Sequence, residues 1–169
     1  MLRSLMATLV AVSVLVAFTV AADASNPAGG ADVYGVGGGS FAGKLTNFDT
    51  SMHSGPNGGF GHVQLQRDGP FFPLDVYVDV SCVQAVPGLT PEVYYSGRVR
   101  RADPVPNFLG LQPGDPVSGY AADGGNPSAG VPVDSLTLFT EAVLPDCRLS
   151  VWRPPVNNVG SGNIQVKFG

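Results

Sequence analysis

Two cysteines, two histidines and one tryptophan are all that 169 residues provide of the side chains most used in redox chemistry, metal binding and acid–base catalysis. Cys82 and Cys147 are far apart, so there is no C-x-x-C pair for a dithiol redox centre and no third thiolate for a zinc site. His53 and His62 are the only imidazoles that could activate a hydroxyl or thiol, and they flank a "SGPNGG" turn. Two neutral ligands with no carboxylate or thiolate close in sequence make a poor metal site, so none is assigned. Charge is scarce too: 13% of residues are charged and the net charge is -4, a balance that disfavours nucleic-acid binding. "GSG" at 160–162 lacks the spacing of a nucleophile elbow, and no glycine-rich stretch is followed by the Lys-Ser/Thr of a phosphate loop. The sole N-x-Ser/Thr triplet is blocked by Pro127. These gaps leave no recognisable catalytic constellation and call for no cofactor.

The first 24 residues read as an export signal. Arg3 supplies the positive start, an uncharged apolar run extends from Leu5 to Ala22, and Ala22-Asp23-Ala24 offers small residues where a signal peptidase reads. Cleavage before Ser25 gives an extracellular chain of one-domain size with no stable membrane insertion. A retained anchor is the competing reading, because the run is just long enough to span a bilayer. In an oxidising compartment the two cysteines pair, and a Cys82–Cys147 bridge enclosing 64 residues contributes roughly 4 kcal/mol by restricting the unfolded chain.

Beyond residue 24 lie all 23 glycines and all 15 prolines, between short runs with a two-residue period. Residues 25–40 read as a Gly/Pro-rich flexible lead with one short strand near Val33, and residues 41–169 as the folded domain. A strand pair or one bent strand follows from Phe41 to His53. "FGHVQLQR" (60–67) and "LDVYVDVSC" (74–82) alternate, the second placing Leu74, Val76, Val78, Val80 and Cys82 on one face and Asp75, Tyr77 and Asp79 on the other. "EVYYSGRVRR" (92–101) does the same, with Val93, Tyr95 and Val99 inward. Further strands are expected at 117–121, 136–143, 147–152 and 163–168. No window after the leader has a helical period. The chain is therefore all-β, a single-domain antiparallel β-sandwich or small barrel of about 7–9 short strands.

The candidate sites are few. Asp75 and Asp79 share a strand face and could hold a cation or a sugar; Arg98 and Arg100 could meet a polyanion. Glu92 and Glu141 are the only glutamates available to a glycosidase-like pair. The segment from Ala102 to Pro116 is too rich in proline for a sheet interior and long for a connection. Within it Phe108, Leu109 and Leu111 either plug one end of the core or contact a ligand or partner.

The order of short pieces "GGGSF" (37–41), "NFDTS" (47–51), "GPNG" (55–58), "VDVSC" (78–82), "YYSGRV" (94–99) and "GNIQV" (162–166) resembles a group of small uncharacterised secreted β proteins found largely in actinobacteria. The resemblance implies bacterial origin, export and an all-β fold, and supplies no site residues. The hairpin between "VDVSC" and "YYSGRV" departs from that pattern, with Thr90-Pro91 where the group carries a Gly-Asn pair. The leading expectation is a secreted, disulfide-stabilised β domain that binds a protein, glycan or apolar ligand without catalysis. The alternatives are an apolar small-molecule carrier in a closed barrel and a hydrolase with a carboxylate site.

Overall fold

The computed structural model describes residues 32–55, 58–86, 90–105, 107–125, 134–143 and 157–169. Among the described residues there are nine antiparallel strands: β1 (Val33–Phe41), β2 (Thr46–His53), β3 (Phe60–Arg67), β4 (Leu74–Val86), β5 (Glu92–Asp103), β6 (Pro116–Ala122), β7 (Ser135–Leu136), β8 (Phe139–Thr140) and β9 (Asn157–Phe168). Neighbouring strands pair in the order β5-β4-β3-β2-β1-β9-β7-β6, and a further β5–β6 pairing closes the sheet on itself. The result is an eight-stranded barrel with β8 added beside β6, and no helix occurs among the described residues. Closure removes the sheet edges, which answers the choice between sandwich and barrel.

Alternation decides which side chains fill the barrel. On β2 it turns Phe48, Thr50 and Met52 inward; on β3 Val63 and Leu65; on β4 Leu74, Val76, Val78 and Val80. With Tyr95, Val117, Leu136, Ile164 and Val166 they form one continuous core. The Tyr95 hydroxyl donates to the Thr137 carbonyl, so the one phenol buried in the barrel has its partner. Burial also pushes its pKa far above the usual value.

The barrel is closed by a strand of which the sequence showed only the start, as the short strand expected near Val33. Residues 33–40, assigned from sequence to a flexible lead, form β1 with Phe41 and pair with both β2 and β9. Its inward positions include Gly35, Gly37 and Gly39, which have no side chain to give a hydrophobic period. Their emptiness is the packing: a Cβ on Gly35 would lie 3.2 Å from Val93 Cγ2 and 3.3 Å from Met52 Cε. Val93 belongs to β5 on the far wall, so a glycine wall lets opposite side chains meet and the middle of the barrel is full.

A second correction concerns Cys82. A bulge between Val80 and Cys82 puts Val83, not Cys82, opposite Tyr95, and Cys82 opposite Ser96. Val83 joins the core, while Cys82 falls on the outer face of the wall, though it is only 7% exposed there. The sequence reading placed its sulfur inside the barrel. A matching irregularity between Tyr77 and Val78 leaves Arg100 unpaired in the ladder, so Arg100 and Arg101 both point outward and Ala102 returns to the core. The strand expected over 136–143 is two short pieces, β7 and β8, interrupted at Thr137 and Leu138. The strand expected over 147–152, and Cys147 itself, lie outside the described residues.

Candidate functional site

Up-and-down connection brings the β1–β2, β3–β4 and β5–β6 loops to one end of the barrel. There Leu45, Phe71, Phe72, Val105, Phe108 and Leu109 are exposed, an unusual concentration of apolar area for loop residues. Leu45, Phe108 and Leu109 among them line a cavity of about 550 Å³, within the range that takes a small organic ligand. Its walls are Phe41 and Leu65 from the strands, Leu74 from the start of β4, and Leu136 and Leu138 from the β7 region, with Leu109 at the rim.

The long loop is both things the sequence allowed. Leu111 is 1% exposed and belongs to the core, so it plugs; Phe108, at 49%, and Leu109, at 38%, line the cavity instead. One buried side chain imposes this split. Asn107 Oδ1 accepts from the backbone N–H of Leu109 at 3.0 Å and of Leu111 at 3.2 Å, while Nδ2 donates to the Leu111 carbonyl at 2.8 Å. These bonds wind residues 107–111 into a compact turn that points Leu111 down and leaves the two preceding side chains at the mouth. Asp115 Oδ2 accepts from Gln112 N–H, and Arg98 Nη1 donates to the Gly114 carbonyl, which ties the rest of the loop to the wall.

Two cations stand among these apolar walls. Lys44 Nζ donates to Asn157 Oδ1 and lies 5.9 Å from the Phe41 ring centre. Arg67 packs its guanidinium against Phe72 and Phe108, 6.0 and 5.8 Å from their ring centres, and those rings meet edge to face at 6.3 Å. Phe72 holds this position with a φ of 57°, a left-handed conformation that a bulky side chain adopts at a steric cost. No carboxylate lines the cavity among the described residues.

The other sequence candidates do not converge. His53 is stacked between Tyr34 and Phe60, with Nε2 3.3 Å from Ser51 Oγ. His62 stacks on Tyr77 and pairs with Asp49 at 2.8 Å. Each imidazole is part of a cross-strand ladder on the outer wall, and no third group completes a Ser–His–acid set. The Asp75/Asp79 face and the arginine cluster neutralise each other: Arg101 pairs with Asp75 at 2.8 Å and Arg100 with Asp79 at 3.7 Å. The β4–β5 register thus sets both aspartates of the cation candidate and Arg100 of the polyanion candidate in ion pairs, while Arg98 donates to the Gly114 carbonyl. Glu141 accepts from the Ser118 hydroxyl on the outer wall. Beside it Tyr94, whose pKa is raised by burial, meets Tyr120 edge to face. No group of three or more potential metal ligands occurs among the described residues.

Sequence reasoning passed over Arg67, Lys44, Phe72 and Leu136. The signal for Arg67 was present, because it shares the parity of Val63 and Leu65; the cavity walls come from strands far apart in the chain and carry no local signature. No protein family, no curated protein and no solved structure matches the chain.

Proposed function

We propose that this protein is a secreted β-barrel that binds a small apolar molecule at one mouth of the barrel and performs no catalysis. The observation that supports this best is the apolar cavity of about 550 Å³ set among Leu65, Leu74, Leu136, Leu138 and the rim residues Phe108 and Leu109. The ligand site is an end pocket rather than a hollow barrel, because Met52, Val63, Tyr95 and Ile164 fill the middle. The walls are pre-formed by strands, and the Asn107 turn fixes the rim, so little ordering is needed on binding. A neutral dye such as N-phenyl-1-naphthylamine tests the reading: its fluorescence rises with the protein, and Leu138→Trp, which fills the cavity, abolishes the rise without lowering the melting temperature. No enhancement, or equal enhancement by Leu138→Trp, overturns it.

The extracellular setting and the Cys82–Cys147 bridge belong to the same reading, as does kinship with the actinobacterial secreted β proteins. They rest on the apolar leader with its Ala-x-Ala ending, on the even cysteine pair, and on the near-complete burial of Cys82 on the outer wall. Mass spectrometry of secreted protein begins at Ser25 if the leader is removed. Thiol titration of the denatured, unreduced chain finds no free thiol if the bridge forms.

A further inference from the structure

Arg67 is the only charged side chain that β3 turns inward. Val63 and Leu65 face the interior and are buried, and the two-residue period carries Arg67 to the same face at the mouth. Arg98 donates to a carbonyl, and Arg100 and Arg101 pair with aspartates, but Arg67 has no carboxylate partner among the described residues. Its Nε is buried without a hydrogen-bond acceptor among the described residues. Native structures rarely leave such a donor unused, and the exceptions call for an explanation such as a ligand. The electrostatics point the same way. A chain of net charge -4 lines this cavity with Lys44 and Arg67 and no acid among the described residues. Asp68, next in sequence, is turned to Gln66 Nε2 at 3.4 Å instead. Phe72, in its left-handed conformation, and Phe108 pack together against the guanidinium, their ring centres 6.0 and 5.8 Å from it and 6.3 Å from each other.

We propose that the mouth takes a single-chain amphiphile with an anionic head, the head bound by Arg67 and the chain laid against Leu65, Leu74 and Leu136. This rests on the reading of the mouth as an apolar-ligand site and adds the chemistry of its rim. An arginine packed on aromatic rings presents a planar fork that matches a carboxylate or a phosphate in two parallel hydrogen bonds, and the surrounding apolar groups limit screening by water. Lys44, already bonded to Asn157 at the edge, contributes a second positive charge without the fork. A carboxylate head means a fatty acid; a phosphate head means an alkyl phosphate monoester, and the two share the recognition chemistry.

Calorimetric titration of the secreted protein with decanoate, monodecyl phosphate and decan-1-ol separates the possibilities. At least one anion binds ten-fold or more tighter than decan-1-ol, and the tighter of the two names the head. Arg67→Gln brings the anions down to the alcohol's affinity while the alcohol's own affinity stays unchanged; Arg67→Lys, which keeps the charge and loses the fork, falls between. Should Arg67→Gln fail to fold, the three-ligand comparison on the unaltered protein still decides. Equal affinity for decanoate, monodecyl phosphate and decan-1-ol overturns the anionic head and leaves the apolar site standing. No binding of any of the three overturns both.

Discussion

At the end of the barrel where β2 turns into β3, the inward side chains Val33, Met52, Val83 and Val93 are buried against one another, and the glycine wall of β1 admits Val93 from the far side. At the opposite end, three loops carry six exposed apolar residues, and three of these, Leu45, Phe108 and Leu109, line a cavity together with two cations. The same strands run through both ends, so the contrast is not one of fold. It arises from which inward positions are filled: valines and a methionine meeting glycines at one end, leucines set back from one another and an arginine at the other. A closed barrel of eight strands has an interior just wide enough to fill with side chains, and here one end is filled and the other is not. Packing spends its free energy where side chains meet, which leaves the mouth less constrained by stability.

That contrast can be broken by substitution. The largest effect falls on the packed end, where Met52→Ala lowers stability by about 2–5 kcal/mol through a cavity in a fully buried site. Leu109→Ala at the mouth stays within about 0.5 kcal/mol. Denaturant unfolding of the two variants checks this, and similar losses would erase the distinction. The loop sharpens it within five residues: Leu111→Ala costs about 2–5 kcal/mol, whereas Phe108→Ala costs about 1 kcal/mol or less, read from the same unfolding curves. Gly35→Val tests the glycine wall from the other direction. Its new carbons enter space occupied by Val93 and Met52, and overpacking lowers stability by about 1–3 kcal/mol.

The smallest effect is one of pH. The Tyr95 phenol is buried and neutral in the folded barrel, its pKa raised well above the ordinary phenol value of 10.0 that holds in the unfolded chain. Above pH 10 the unfolded state therefore loses a proton that the folded state keeps, and stability falls as pH rises, by about 1.4 kcal/mol per pH unit for this group. Below pH 10 the contribution is constant. Tyr95→Phe removes that slope while costing about 1–3 kcal/mol at neutral pH, because the Thr137 carbonyl loses its donor. Urea unfolding at pH 8 to 11 measures both.

Much of the barrel is legible where side chains alternate against polar neighbours. "FGHVQLQR" is β3 to the residue, and the start of β4 and the inward set on β5 follow from the period alone. The reading fails where the period is interrupted or silent. Gly35, Gly37 and Gly39 contribute to the core by having no side chain, so hydrophobicity cannot report them, and β1 read as a flexible lead with one short strand near Val33. Ser81 is an inserted residue that reverses parity, and one extra residue near the end of a run leaves too few positions to reveal the change at Cys82. The arginine cluster and the aspartate face looked like two sites because register is a property of two strands at once, and only pairing shows that they cancel. The mouth was visible in part. Phe108, Leu109 and Leu111 stood out between prolines, but the roles of plug and rim were assigned by Asn107, whose hydrogen bonds no spacing rule reveals.

The claim that one end holds the fold and the other binds is tested most directly by mapping decanoate on the protein through backbone amide chemical shifts. The account predicts shifts confined to the mouth: residues 42–46, 67–74 and 107–111 together with Leu136 and Leu138, with Val33, His53, Phe60 and Val83 unmoved. Shifts centred on the packed end or on the histidine ladders of the outer wall would contradict it.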